Sequence, residues 1–220
     1  MNCKLSPSLL SADFTKLDRE IKICEDNNVE YLHIDVMDGM FVPNISIGIP
    51  VVKSIRKITD LVLDVHLMIV KPERYIEAFA EAGSDIINIH YEATEDCVPV
   101  LKRIRELGKK SAVTIKPKTS YKDVLNLAEY ADMFLVMSVE PGFGGQSFIE
   151  STLENVKGLA EYKVKNGLSY DIEIDGGINA DNITKPLDAG ANIIVAGSAV
   201  FGKYNTAERI QEFNDIMRKY

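Results

Sequence analysis

A chain of 220 residues is long for one sandwich or small open sheet and suits one α/β barrel. Its 46% hydrophobic and 26% charged side chains are the balance of an ordinary globular domain, and its apolar runs are strand-length, which excludes a membrane span. The net charge of −8, from 25 basic and 33 acidic side chains, excludes the basic footprint of a nucleic-acid binder and leaves any anionic ligand to be held by local donors. Cys3, Cys24 and Cys97 are odd in number and lack metal-site spacing, so the expectation is a reduced cytoplasmic protein with buried thiols. Met1-Asn2-Cys3-Lys4 runs straight into a strand-like segment, with no signal-peptide pattern.

Along the chain, short apolar strands alternate with amphipathic segments. The first predicted strand is 4–9, and Leu17, Ile21 and Cys24 then fall at helical spacing within a helix predicted over 14–27. Strands follow at 31–36 and 62–67. Pro72 opens a helix as a first-turn proline, and a helix over 74–82 ends at Gly83. A strand at 86–90 precedes a helix over 98–107 that ends at Gly108. The remaining strands are 111–115, 133–138, 171–174 and 193–196. Each is apolar or β-branched on both faces, as strands covered on both sides must be. Eight units of about 27 residues favour a single closed (β/α)8 barrel over 1–220, a TIM barrel, above a doubly wound open sheet.

In such barrels the chemistry sits at the C-terminal strand ends. All three histidines fall there: His33 and Asp35 in strand two, His66 in strand three and His90 in strand four, while Asp175 closes strand seven. Alternation puts His33 and Asp35 on one face, so both can reach one ion, with His66 and Asp175 completing four ligands. Two imidazoles and two carboxylates suit one divalent metal ion, Zn²⁺, Fe²⁺, Mn²⁺ or Co²⁺, and do not suit Ca²⁺. Three loops on the same rim are rich in glycine: Gly142, Phe143, Gly144 and Gly145 after strand six, Gly176 and Gly177 after strand seven, and Gly197 and Ser198 after strand eight. Glycines let backbone N–H groups approach an anion, which points to a phosphate site there. Met37, Met68 and Met137, also at strand ends, could roof the site without competing as strong ligands.

These residues fall within SPSLLSADF (6–14), HIDVMDGMFVPN (33–44), DVHLM (64–68), MSVEPGFGGQ (137–146), EIDGG (173–177) and AGSA (196–199). In this order, and over essentially the whole chain, they resemble the ribulose-5-phosphate 3-epimerase family. The resemblance implies a metal-dependent epimerase that interconverts D-ribulose 5-phosphate and D-xylulose 5-phosphate through an enediolate. It implies His33, Asp35, His66 and Asp175 as metal ligands, Asp35 and Asp175 as the two acid–base groups, and Ser8 and His66 as contacts to the sugar. It also implies the glycine loops as the phosphate grip, a sugar phosphate as the partner, and a homo-oligomer. The chain departs from the family pattern at Met40, Tyr91, Lys116 and Glu140, none of them an implied ligand. A hexulose-phosphate epimerase acting on allulose 6-phosphate is the alternative, with serine expected in place of Gly177. A sugar-phosphate-binding barrel without catalysis would not need both Asp35 and Asp175. A decarboxylase or indole-type synthase barrel would need a lysine in the mouth, for which Lys116 is the candidate.

Overall fold

The computed structural model describes residues 3–202 and 205–220. Among them are eight strands: β1 (Lys4–Pro7), β2 (Tyr31–Met37), β3 (Val62–Met68), β4 (Ile86–His90), β5 (Lys110–Ile115), β6 (Met133–Met137), β7 (Asp171–Asp175) and β8 (Ile193–Ala196). Every ladder is parallel, in the order β1-β8-β7-β6-β5-β4-β3-β2. A parallel bridge between Ser8 and His33 brings the two outer strands, β1 and β2, together. An open doubly wound sheet would leave those edges apart, so the expected (β/α)8 barrel is the architecture found.

Helices α1 (Leu17–Asp26), α2 (Ile49–Ile55), α3 (Ile76–Ala82), α4 (Cys97–Glu106), α5 (Leu153–Asn166), α6 (Thr184–Ala189), α7 (Ser198–Phe201) and α8 (Thr206–Met217) lie in the connections between strands and after the last of them. The outward residues of β2, Leu32, Ile34 and Val36, belong to one continuous apolar cluster with Ile21 and Cys24 of α1 and Ile210 and Phe213 of α8. Each such fully buried aliphatic side chain contributes roughly 1.5–3 kcal/mol relative to exposure. The barrel interior is layered differently. Tyr31, Ile86, Ala112, Met133 and Ile193 form an apolar floor. Two residues further along the strands the lining turns polar, with His33 beside Asp64 and His66 beside Asn88 in the ladders. Burying so much polarity is costly unless it is paired, which marks the upper barrel as a site.

Several boundaries differ from the expected ones, each for a local reason. Strand β1 stops at Pro7 because Ser8 caps a 3₁₀ turn at Leu9–Ser11. Helix α1 starts at Leu17, after a 3₁₀ turn capped by Asp13, and Pro72 opens a 3₁₀ turn, not an α-helix. Strands β2, β3 and β7 each run one residue further, because the pairs Met37–Met68 and Met137–Asp175 stay in the ladders. Gly83 caps α3 in the left-handed conformation, whereas α4 is capped by Leu107, with left-handed Gly108 one residue beyond.

Between β5 and β6 the chain forms a 3₁₀ stretch, Tyr121–Leu127, instead of an α-helix. Its start is fixed by a capping box: Ser120 Oγ accepts from the Lys122 N–H, and Asp123 accepts from the Ser120 N–H. Ser120→Ala is expected to cost about 1 kcal/mol, read as a lower urea midpoint at unchanged slope.

Candidate metal centre and active site

The polar residues meet because the barrel register sets them side by side. In the β2–β3 ladder His33 lies beside Asp64, and Asp35 beside His66. His33 and His66 are fully buried, Asp35 is 5% exposed, and Asp175 at the end of β7 is half-buried. One donor atom from each of His33, Asp35, His66 and Asp175 lies within 4.8 Å of all the others. His33 Nε2 is 3.2 Å from His66 Nδ1, 3.4 Å from Asp35 Oδ1 and 3.9 Å from Asp175 Oδ2, and His66 Nδ1 is 3.2 Å from Asp35 Oδ1. Four ligands around an ion at zinc-like bond lengths sit roughly 3.4 Å apart.

The hydrogen bonds make the donor set fit a cation. His33 Nδ1 lies 2.7 Å from Asp64 Oδ2, an acceptor, so Nδ1 donates and neutral His33 turns the lone pair of Nε2 towards the cluster. Two imidazole nitrogens and two carboxylates thus converge on one point. Without an ion, protonation meets that demand for positive charge: burial opposes it, but Asp35 and Asp64 hold His33 well above the usual imidazole range.

The two aspartates differ in their protonation. Burial pushes against ionisation of Asp35, yet His33 and His66 hold its carboxyl well below the usual range. Asp175 is pushed up to about 6 by burial and, against the pull of His33, by the neighbouring Asp35 carboxylate. Asp35 is further fixed by the Ser8 hydroxyl, which donates to its Oδ2 at 2.6 Å. Beneath them, burial and the Asp64 carboxylate push fully buried Glu173 well above the usual carboxylate range.

Above the cluster opens a cavity of about 330 Å³. Ser8, Asp35, Asp175, Gly142, Phe143, Gly144, Gly145, Gly176, Gly177, Gly197 and Ser198 all line it, as do Met37, Met68 and Met137. His33 and His66 lie under this lining, in the barrel interior. Ser11, Gln146 and Asn179 line it too; Ser11 and Gln146 fall within the SPSLLSADF and MSVEPGFGGQ motifs, whereas no motif signals Asn179. No lysine or arginine is among the lining residues described. Lys116 instead holds its ammonium 4.0 Å above the Phe41 ring, and Met40 is 79% exposed on the rim, so neither reaches the cavity wall. This removes the lysine that a decarboxylase or synthase would need.

The glycine loops after β6 and β7 interlock. Ser138 at the end of β6 donates to the carbonyls of Asp175 and Gly176, and the Gln146 amide closes its own loop on the carbonyls of Glu140 and Phe143. Gly177 has φ +67°, and a Cβ there would lie 2.5 Å from the Phe148 nitrogen and 2.8 Å from the Gln146 carbonyl. Only glycine lets the β6 and β7 loops approach so closely.

Residues 4–201 match the model of the ribulose-phosphate 3 epimerase family. Ribulose-phosphate 3-epimerase of Synechocystis sp. is 48% identical over 95% of this chain and 92% of its own length. The enzyme of that name from Bacillus subtilis is 47% identical over 95% of this chain and 97% of its own. Among solved structures, 3-hexulose-6-phosphate synthase from Salmonella typhimurium superposes with a TM-score of 0.72 at 18% identity, covering 98% of this chain and 99% of that one, a likeness of fold alone.

Proposed function

This chain belongs to the ribulose-phosphate 3-epimerase family, and from that premise we propose that it interconverts D-ribulose 5-phosphate and D-xylulose 5-phosphate by moving a proton at C3. The observation that carries this reading is the pair of aspartates in one cluster with opposite tendencies to hold a proton. Inversion at a carbon next to a carbonyl needs a base on one face of a planar enediolate and an acid on the other. Asp35, held ionised, takes the C3 proton of one epimer. Asp175, which retains its proton more readily, returns one to the opposite face, and the roles exchange in the reverse direction. They come from β2 and β7, which β1 and β8 separate in the barrel.

His33, Asp35, His66 and Asp175 would hold one divalent ion, and the donor set suits Zn²⁺, Fe²⁺, Mn²⁺ or Co²⁺. Such an ion supplies, when bound, Lewis-acid stabilisation of the negative charge that develops on the sugar oxygens. Ser8 orients the Asp35 carboxylate and faces the sugar. The loops of Gly144, Gly177 and Ser198 bind the phosphate through backbone groups, and Met37, Met68 and Met137 keep water from the reacting carbons. The phosphate end supplies binding energy remote from the chemistry, which fixes the sugar in register.

The test is turnover of D-ribulose 5-phosphate against allulose 6-phosphate by purified, metal-analysed protein. Preference for the hexulose would overturn the substrate assignment. Absence of solvent exchange at C3 would reduce the barrel to a binding module. Cytoplasmic location is part of this reading and rests on unpaired cysteines: burial pushes the thiols of Cys24 and Cys97 up to about 12 and about 11, so both stay unreactive. A homo-oligomer fits the exposed apolar rim residues Met40 and Ile45 and is tested by sedimentation.

The protonation pattern fixes how ion uptake depends on pH. His33 carries a proton at neutral pH in the ion-free protein, and Asp175 gains one below about 6. A bound cation competes with both protons, so affinity rises with pH. We expect about tenfold per pH unit near neutrality, steepening below the Asp175 value. Zn²⁺ titrations in buffers of different ionisation enthalpy measure the protons released. Affinity independent of pH between 5 and 8 contradicts this set of ligands.

A further inference from the structure

Two polar residues next to the cluster have no part in the chemistry above. His90 ends β4, and Glu92 follows it in the 3₁₀ turn Tyr91–Ala93. His90 is fully buried, its Nε2 is 2.9 Å from His66 Nε2, and the two rings are tilted by only 25°. On its other side His90 Nδ1 is 3.2 Å from Glu92 Oε2. The second oxygen of Glu92 accepts from the Lys116 N–H at 2.8 Å and from the Thr119 hydroxyl. The Phe41 ring covers His90 at 4.7 Å, and the Lys116 ammonium closes over Phe41.

We propose that Glu92 and His90 are positioning residues that set the tautomer of His66 and so turn its Nδ1 lone pair towards the metal position. The inference rests on the reading of the four-donor cluster as a metal centre. The direction follows from which groups can donate. A carboxylate only accepts, so His90 Nδ1 carries the hydrogen. Neutral His90 then has a lone pair on Nε2, and the nitrogen facing it at 2.9 Å must donate. That nitrogen is His66 Nε2, which leaves Nδ1 of His66 as the bare nitrogen beside Asp35 and His33. Reversing the polarity anywhere along this chain would put a hydrogen on His66 Nδ1, where it would block a ligand bond. His33 is set in the same sense by Asp64, but through one direct contact.

Glu92→Gln tests this with nearly the same shape. If the amide oxygen keeps the Lys116 and Thr119 donors, its NH₂ faces His90 Nδ1 and reverses the chain. The primary readout is long-range ¹H–¹⁵N spectroscopy of histidine-labelled, metal-free protein, which distinguishes Nδ1–H from Nε2–H rings. In the parent protein His66 is expected as the Nε2–H tautomer. Finding Nδ1–H there overturns the proposal without any variant. In Glu92→Gln the His66 signals should move towards Nδ1–H, and Zn²⁺ affinity by competition titration should fall about 10–100-fold. His90→Gln, whose amide oxygen can accept from His66 Nε2 without help from Glu92, should retain affinity close to the parent's. Unchanged tautomer and affinity in a folded Glu92→Gln overturn the relay. A parent protein that binds no divalent metal overturns the metal reading instead, and the tautomer measurement still decides the relay.

Discussion

Asp175→Asn is expected to lower the rate of epimerisation ~10²–10⁴-fold, the usual loss when an acid–base group is removed. Asparagine keeps the size of the side chain and cannot carry the proton. Because Asp175 Oδ2 also points at the donor cluster, 3.9 Å from His33 Nε2, metal content must be measured beside activity. The sharper observation is isotopic. Asp35 keeps its Ser8 and His66 partners in this variant and can still remove a proton from its own face of the sugar. Solvent deuterium should therefore enter one epimer while net inversion is lost, and exchange from the other epimer should fail. A variant with full metal occupancy and near-parental turnover would falsify the two-aspartate mechanism.

That asymmetry was readable in outline from the sequence, and its cause was not. Alternation along a strand puts His33 and Asp35 on one face, and strand ends in a barrel converge, so the four ligand candidates could be named from spacing. The roles of Asp64, His90, Glu92 and Glu173 could not. Each stands in or beside a recognisable strand, but its function depends on what lies across the ladder, which is set by the stagger of whole strands. Only the register that puts His33 beside Asp64 shows that Asp64 orients His33. The strands themselves were legible because both faces are apolar outside the polar interior. Their ends shifted by one or two residues where a cap such as Ser8, or one more ladder pair such as Met37–Met68, decided the matter. Lys116 shows a related limit: a strand-end position fits a rim charge better than a contact to substrate but does not say what holds it there, and the Phe41 ring draws the ammonium aside.

Gly177 is where fold and substrate choice meet, and Gly177→Ala is expected to lower kcat/KM for the sugar phosphate by about 10²-fold. Two costs act together. A non-glycine residue at φ +67° is strained by roughly 1–2 kcal/mol. The added carbon also meets backbone atoms of Phe148 and Gln146, not the end of a flexible side chain, so the loop after β6 must move away from the loop after β7. Those two loops form much of the proposed phosphate grip, while the donor cluster lies deeper in the barrel and is not displaced. The loss should therefore fall on phosphorylated substrate. Slow turnover of free ribulose should change far less, and Zn²⁺ affinity should stay near the parent's. Gly108→Ala separates the two costs, because Gly108 has φ +73° and nothing within 4 Å of an added Cβ. It should lower thermal stability by an amount similar to the strain term and leave kcat/KM unchanged. The same crowding bears on the hexulose-phosphate alternative, since the serine expected there would carry its Cβ into the Phe148 backbone. If Gly177→Ala and Gly108→Ala behave alike, with stability reduced and kinetics intact, the contact between the two loops is not what holds the phosphate.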